Sequence, residues 1–400
     1  MRLTLHRRLL LGLLAPTIIV GGVLLGLTWK RRPVDAVIAT SADAVLQSMK
    51  AILRRQGLAG ALDSLASRAA RDSALHRDGH QMAHALGREA VAEHAGDAAI
   101  IRECRPVFAS GCYHGVVEAS LHAAGRIDMA ELERLCVGAE GSGGPGSGFE
   151  CIHGLGHGVL GALGYDLESA LRYCDVLSAP RRAASCHSGA FMEAISSALR
   201  APAMHGAHPN AASHEHHAPR SLAIDAADPY SPCRAYGDPY ASSCWLFQGF
   251  VILRANGFDA GRALRVCDDA PEGRAVRCYE SVGHQLTGLF HRGDRWILEQ
   301  CARGQASLAP HCAAGAALAL DAMDWSGFRA ARLCAAAPEG WKEACYRSAS
   351  GALVDLASPA QRSRLCAAVE PAYAGSCRKA GQLVAPLSLR RPSPGSGGPS

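Results

Sequence analysis

Apolar residues recur at helical spacing in short stretches separated by polar turns. From Asp259 to Cys267 the segment Asp-Ala-Gly-Arg-Ala-Leu-Arg-Val-Cys sets an N-cap candidate ahead of Ala263, Leu264 and Cys267, which predicts a short helix A. The turn Asp-Asp-Ala-Pro-Glu-Gly stops it. From Cys278, Tyr-Glu-Ser-Val-Gly-His-Gln-Leu-Thr-Gly-Leu-Phe predicts a second, more apolar helix B that ends at His-Arg-Gly-Asp, where the next helix A begins. Helix, turn, helix is the unit, and it repeats.

Cysteine marks the repeat. Five pairs, Cys233/Cys244, Cys267/Cys278, Cys301/Cys312, Cys334/Cys345 and Cys366/Cys377, have partners eleven residues apart, and their first members recur every 32 to 34 residues. That period is one helix-turn-helix unit of an α-solenoid. Cys104/Cys112, Cys136/Cys151 and Cys174/Cys186 keep the rhythm with shorter or longer loops. Antiparallel helices about 8–10 Å apart bring inward-facing cysteines to the Cα separation of about 5.5–6 Å that a disulfide needs, so each pair is expected to staple its own hairpin. A staple closing such a loop contributes about 3 kcal/mol on the chain-entropy model. Aromatics are only 6% of residues against 48% hydrophobic, so the core is built from small side chains and the staples compensate for thin burial. No C-x2-C occurs, which removes zinc ribbons, and no C-x-x-C-H, which removes covalent haem. With all sixteen cysteines paired, none is left as a nucleophile, although His187 stands beside Cys186.

Residues 9–29 form an uncharged run flanked by Arg2, Arg7 and Arg8 and by Lys30, Arg31 and Arg32. Its length suits an uncleaved signal anchor better than a cleaved signal peptide. Flanking charges tie at three each, so orientation rests on the disulfides, which put the bulk of the chain outside the cytoplasm. The reading is a single-pass protein of the cell inner membrane with its C-terminal domain in the periplasm or outside the cell. The net charge of +5 falls to 5 − 6 = −1 once the six Lys/Arg of the first 32 residues are set aside. A nearly neutral exported part argues against nucleic acid as a partner.

The predicted fold is all-α: a disulfide-stapled αα-hairpin repeat solenoid following an N-terminal transmembrane helix. Its divisions are an anchor (1–35), a juxtamembrane helical linker (36–59), N-terminal repeats with a histidine-rich face (60–203), a histidine-rich flexible insertion (204–228), C-terminal stapled repeats (229–386) and a disordered tail (387–400). Ala61 onward matches helix A and His80 to Glu93 matches helix B of a first unit in which Arg71 and Met82 stand where cysteines would be. That unit is unstapled.

Repeats allow a comparison within one chain, since packing positions should look alike in every unit and functional ones should differ in a few. Two residues after the second cysteine stand His114, His153 and, by alignment, His84, against Ser188, Leu246, Glu280, Ala314 and Arg347. Six residues after it stand Glu118, His157 and His284, against Met192, Phe250, Leu318 and Gly351. The two positions lie one helical turn apart on one face of helix B. The first unit adds His80 one turn before His84, with Arg88 in the later position.

His80, His84, His114, Glu118, His153 and His157 are therefore the candidate metal ligands, with Glu118 also a candidate catalytic base. Nitrogen and carboxylate donors from neighbouring helices suit a transition metal ion: zinc, iron or copper. A histidine-lined groove for a peptide or small molecule, and packing with no site at all, are the other readings of the same set. The internal Glu of H-E-x-x-H is absent, so the zinc-peptidase motif is excluded. Glu193, one position out of register in Phe-Met-Glu, is a second carboxylate able to act as base or ligand. His94, His122, His291 and His311 read as ordinary helix residues. The insertion carries His205, His208, His214, His216 and His217, and reads equally as a metal-gathering loop or a variable surface loop. The Gly-rich run at 141–148 lacks the Lys-Ser/Thr of a phosphate loop and reads as a linker.

In architecture the stapled helix pairs resemble the tetratricopeptide-like solenoids of secreted bacterial proteins over residues 60–386, although that family's fixed Trp, Leu-Gly and Tyr positions are missing. The resemblance implies a habit of binding a protein or peptide partner on the repeat surface. Ligands at equivalent positions of repeated helices also resemble the logic of the di-iron deoxyhypusine hydroxylase solenoid, whose His-Glu motifs differ from these. Two functions follow: a membrane-anchored metal-binding repeat protein, with a metal-dependent hydrolytic or oxidative reaction open to it, or a metal-free periplasmic interaction scaffold.

Overall fold

The computed structural model describes residues 34–378 apart from 106, 109, 140–145, 201–221, 291, 325–326, 354–362, 364–365, 368 and 376. The apolar run at 9–29, the insertion histidines 205–217, His291 and the tail lie outside the described residues. Among the described residues no helix is long and apolar enough to cross a membrane. Met1–Ser48 and Met49–Ser400 are two compact units, and every staple belongs to the second.

The described structure is helical, with no strand. In chain order the elements are α1 (Val34–Ala69), α2 (Ser73–Glu93), a 3-10 helix (Ala98–Glu103), α3 (Gly111–Ala124), α4 (Met129–Ala139), α5 (Ser147–Ala162), α6 (Leu167–Asp175), α7 (Pro180–Arg200), a 3-10 turn (Cys233–Ala235), α8 (Ala241–Ala255), α9 (Ala260–Asp268), α10 (Ala275–Phe290), α11 (Asp294–Cys301), α12 (Ala309–Asp324), α13 (Phe328–Ala336) and α14 (Glu339–Leu353). Short A helices thus alternate with longer B helices. Asp259 caps α9 as its sequence position predicts, its carboxylate accepting from Arg262 N at 2.8 Å. Helix A shrinks to 3-10 geometry just before Cys104 and again from Cys233 to Ala235. In the second case Pro229 and Pro232 lie immediately upstream, where a ring without N–H cannot extend a helix.

All eight disulfides are local, with Cα separations of 5.3–5.6 Å, and no cysteine is free; the first seven join an A segment to the first two turns of its B helix. In three units the residue after the second half-cystine locks the hairpin from the other side. Tyr279 donates to Asp268 at 2.6 Å and Tyr113 to the Cys104 carbonyl at 3.3 Å. His187 holds the equivalent place, with Nε2 2.9 Å from Asp175 Oδ1. Its position next to Cys186 therefore serves the hairpin.

The unstapled first unit is held differently. Gly57 interrupts α1 with φ 78° and ψ 175°, a conformation that glycine adopts cheaply, and the helix restarts at Leu58. Glu103 Oε2 accepts from the Leu58 and Ala59 amides at 2.8 and 3.3 Å, placing a carboxylate on the new helix start from the adjoining unit.

Consecutive B helices, α2, α3, α5, α7, α8, α10, α12 and α14, pack on one another as a wall. Three of its seams are closed by reciprocal glycines. A Cβ on Gly115 would stand 2.0 Å from the His84 carbonyl, and one on Gly87 would stand 2.5 Å from the Cys112 carbonyl. Gly189 meets the His153 carbonyl and Gly156 the Cys186 carbonyl at 1.9 and 2.0 Å in the same sense; Gly315 meets Glu280 and Gly283 meets Cys312 at 1.8 and 1.9 Å. Backbones this close allow Cα–H···O contacts in place of side-chain interdigitation. Side chains one turn away on neighbouring helices are thereby drawn together.

Candidate metal centre

Four wall helices deliver the histidine face. From α2 come His80, His84 and Arg88; from α3, His114 and Glu118; from α5, His153 and His157; from α7, Ser188 and Glu193. His114, His153 and His157 converge so that one ligand atom from each lies within 4.8 Å of the others, an arrangement that could hold a metal ion. Gly154 makes room for this, since a Cβ there would stand 3.3 Å from His114 Cδ2.

Hydrogen bonds behind the rings hold them in place. Ser188 Oγ lies 3.0 Å from the Ser185 carbonyl and 2.8 Å from His153 Nδ1, and its single hydroxyl hydrogen can go to either. His157 Nδ1–H donates to Glu193 Oε2 at 3.2 Å, and Tyr165 donates to the other carboxylate oxygen at 3.1 Å. His157 Nε2 faces His153 Nε2 at 3.2 Å. Nitrogens bound at about 2.0–2.1 Å to one tetrahedral zinc stand about 3.3 Å apart, which is nearly this separation. His114 Nε2, in a side chain only 2% exposed, has no hydrogen-bond partner. A buried nitrogen of that kind costs free energy unless something binds it.

Burial keeps two of the donors, His114 and His153, neutral. Burial pushes His114 well below 6.5, helped by the charges of His157, His80, His153 and His84. Burial likewise lowers His153, with His157, His80 and His284 adding to the shift. His84 falls to about 3, first through burial and then through the Arg88 guanidinium. A metal must compete with protons for imidazole, and here that competition is weak.

His80 and His84 adjoin the trio without entering it. Their rings lie 5.2 and 6.4 Å from that of His114. His80 Nδ1–H donates to the Phe108 carbonyl at 2.9 Å, whereas His84 Nε2 lies 3.2 Å from Glu118 Oε2. Glu118 also accepts from Arg88 at 3.3 Å, and both of these side chains are about half exposed. Glu118 thus stands at the outer edge of the cluster. His284, on α10, packs edge-to-face on Phe247 at 6.4 Å and drops to about 4 through burial. His94 bonds the Ala90 carbonyl within its own helix, and His311 faces Glu280 at 3.9 Å.

Sequence comparison singled out the +2 and +6 positions but gave no role to Ser188 or Tyr165. Ser188 stands at the +2 place of its unit, so the signal was the exchange of His for a hydroxyl beside His153. Tyr165 lies in the turn Gly164-Tyr165-Asp166, which recurs as Gly257-Phe258-Asp259 with a Phe that is 41% exposed. The hydroxyl is what distinguishes the two. Compared with known proteins, the chain matches no family model, and no curated protein or solved structure is similar to it.

Proposed function

We propose that this is an exported, membrane-anchored helical-repeat protein that binds one transition metal ion through His114, His153 and His157. The observation that carries the reading is the convergence of the three rings, with the Nε2 atoms of His153 and His157 3.2 Å apart beside the orphaned Nε2 of His114. Zinc, iron and copper all accept three imidazoles. Three protein ligands leave a further position on the ion, where it would act as a Lewis acid. His80, His84 and Glu118 border that side, so His80 or His84 would serve as an added ligand and Glu118 as an added ligand or base. Export is supported by eight disulfides with no thiol left over, and anchoring by the apolar run at 9–29. The C-terminal wall helices would offer the surface for a protein or peptide partner.

The test is metal analysis of the exported part purified from an oxidising compartment, alongside a His114→Ala/His153→Ala double variant. About one ion per chain, lost in the variant, supports the reading. Metal-free protein with intact helices and disulfides, which does not take up zinc, iron or copper when offered, overturns it in favour of the interaction scaffold.

A further inference from the structure

We infer that Glu193, held by Tyr165, is the positioning carboxylate of this metal centre and not one of its ligands, so that the fourth repeat sets the affinity of a site whose donors lie in the second and third. The inference rests on the metal reading above. Glu193 is on α7, a helix that contributes none of the three converging nitrogens. Both of its oxygens are engaged: Oε2 takes the Nδ1–H of His157 and Oε1 takes the hydroxyl hydrogen of Tyr165. A carboxylate used at both ends by donors behind the ring has its lone pairs turned to those donors. It holds the His157 side chain, 10% exposed, with Nε2 facing His153.

Two consequences follow from chemistry. A carboxylate on the far nitrogen of a metal-bound imidazole fixes the tautomer and raises the basicity of the ligating nitrogen. It also brings a negative charge close to a centre whose three ligands are imidazoles and supply no charge of their own when bound, offsetting part of the charge of a divalent ion in a buried place. Glu118 cannot do this for His157, because it is committed to Arg88 and His84 on the other flank. The second half of the clamp is Tyr165, which occupies a left-handed backbone position at φ 66°. The equivalent Phe258 at φ 60° has no hydroxyl. One turn geometry thus gains a role in one unit through a single oxygen.

The experiment measures zinc and cobalt(II) affinity of the full exported part by competition with a chromophoric chelator, for wild type, Glu193→Gln, Glu193→Ala and Tyr165→Phe. Glu193→Ala is expected to weaken affinity by roughly tenfold to a hundredfold. Glu193→Gln keeps an oxygen that accepts from Nδ1–H but loses the charge, and should fall between wild type and Ala; Tyr165→Phe should lose a few-fold. The cobalt visible spectrum should stay unchanged in Glu193→Gln, because the atoms on the metal are the same. A near-isosteric Gln guards against simple misfolding, and disulfide mapping with helical content checks it. Wild-type affinity in both Glu193 variants, while His157→Ala loses metal, overturns the positioning role and leaves the metal reading standing. A changed cobalt spectrum in Glu193→Gln overturns it too, making Glu193 a ligand. A wild type that takes up neither ion removes the reading beneath both.

Discussion

His153 and His157 stand one turn apart on α5 with their Nε2 atoms 3.2 Å from each other, and the Nδ1 of each meets a partner behind it, Ser188 and Glu193. Two ring nitrogens at that separation suit neighbouring ligands of one cation. Replacing either ring should therefore weaken metal binding. His157→Ala is expected to lower zinc affinity by about a hundredfold or more, with the thermal midpoint in chelator falling by much less than it does in metal. Calorimetric melts with and without EDTA check this; equal losses in both conditions would make His157 a packing residue.

Acid should destabilise the protein before any carboxylate titrates. His84 at about 3, His284 at about 4, and His114 and His153, both well below 6.5, resist protonation in the fold. In the unfolded chain they take protons near 6.5, so between that value and the folded ones the unfolded state binds more protons. Stability is then complete above pH 6.5 and is lost as pH falls toward 3 to 4. At pH 5 linkage allows up to about 2 kcal/mol per such histidine. Urea midpoints of chelated protein at pH 7 and pH 5 measure the loss, and a flat profile would contradict the burial of these rings.

Adding a methyl group at a closed seam should separate two wall helices. In Gly189→Ala the new Cβ would start 1.9 Å from the His153 carbonyl. The expected cost is about 1–3 kcal/mol, the usual range for overpacking, accompanied by weaker metal binding because His153 moves with its backbone. Gly161→Ala is the control, having open space at its Cβ. Equal behaviour of the two variants in denaturant would refute the close approach.

The unstapled first unit depends on Glu103. Glu103→Ala strips the Leu58 and Ala59 amides of their acceptor and should cost about 0.5–2 kcal/mol, as lost helix caps do. Because the seam between α2 and α3 adjoins that unit, amide exchange should quicken first between Leu58 and Ala69. Uniform exchange along the chain would argue against a local cap.

Each half-cystine Cys112 and Cys151 precedes a trio histidine by two residues. Thiol reductant should therefore release metal, and a Cys301→Ser/Cys312→Ser variant, remote in sequence from the trio, should lose about 2–5 kcal/mol yet retain the ion. Metal retained after full reduction would show that the hairpins hold register without sulfur.

Much of this was legible in the chain. The eleven-residue spacing of Cys267 and Cys278 carries its own geometry, because only a hairpin closes so short a loop between helices. His114, His153 and His157 could be picked out because repetition supplies a built-in comparison with Leu246, Ala314 and Phe250. Glu103 gave no signal, since a carboxylate capping a helix start 45 residues upstream has no local pattern. Tyr165 was obscured for a related reason, and Glu193, picked out as a base or ligand, could not be placed behind His157: both act through a contact between side chains far apart in sequence, and periodicity within a unit does not report which neighbouring side chains meet. His187 shows the opposite case, where adjacency to Cys186 suggested reactivity and the fold uses the ring as a brace on Asp175.

The reciprocal glycines divide this part of the wall into couples, α2 with α3 and α5 with α7, each fused by backbone contact on both sides. His114 belongs to the first couple, His153 and His157 to the second. An ion held by all three would rivet across the joint between the couples, where Gly154 and Gly158 of α5 approach the α3 backbone less tightly than the glycines within each couple do. Loading and emptying would then be mechanical events as much as chemical ones, altering how freely two stiff blocks shift against each other and making the joint a place where a distant partner could sense occupancy.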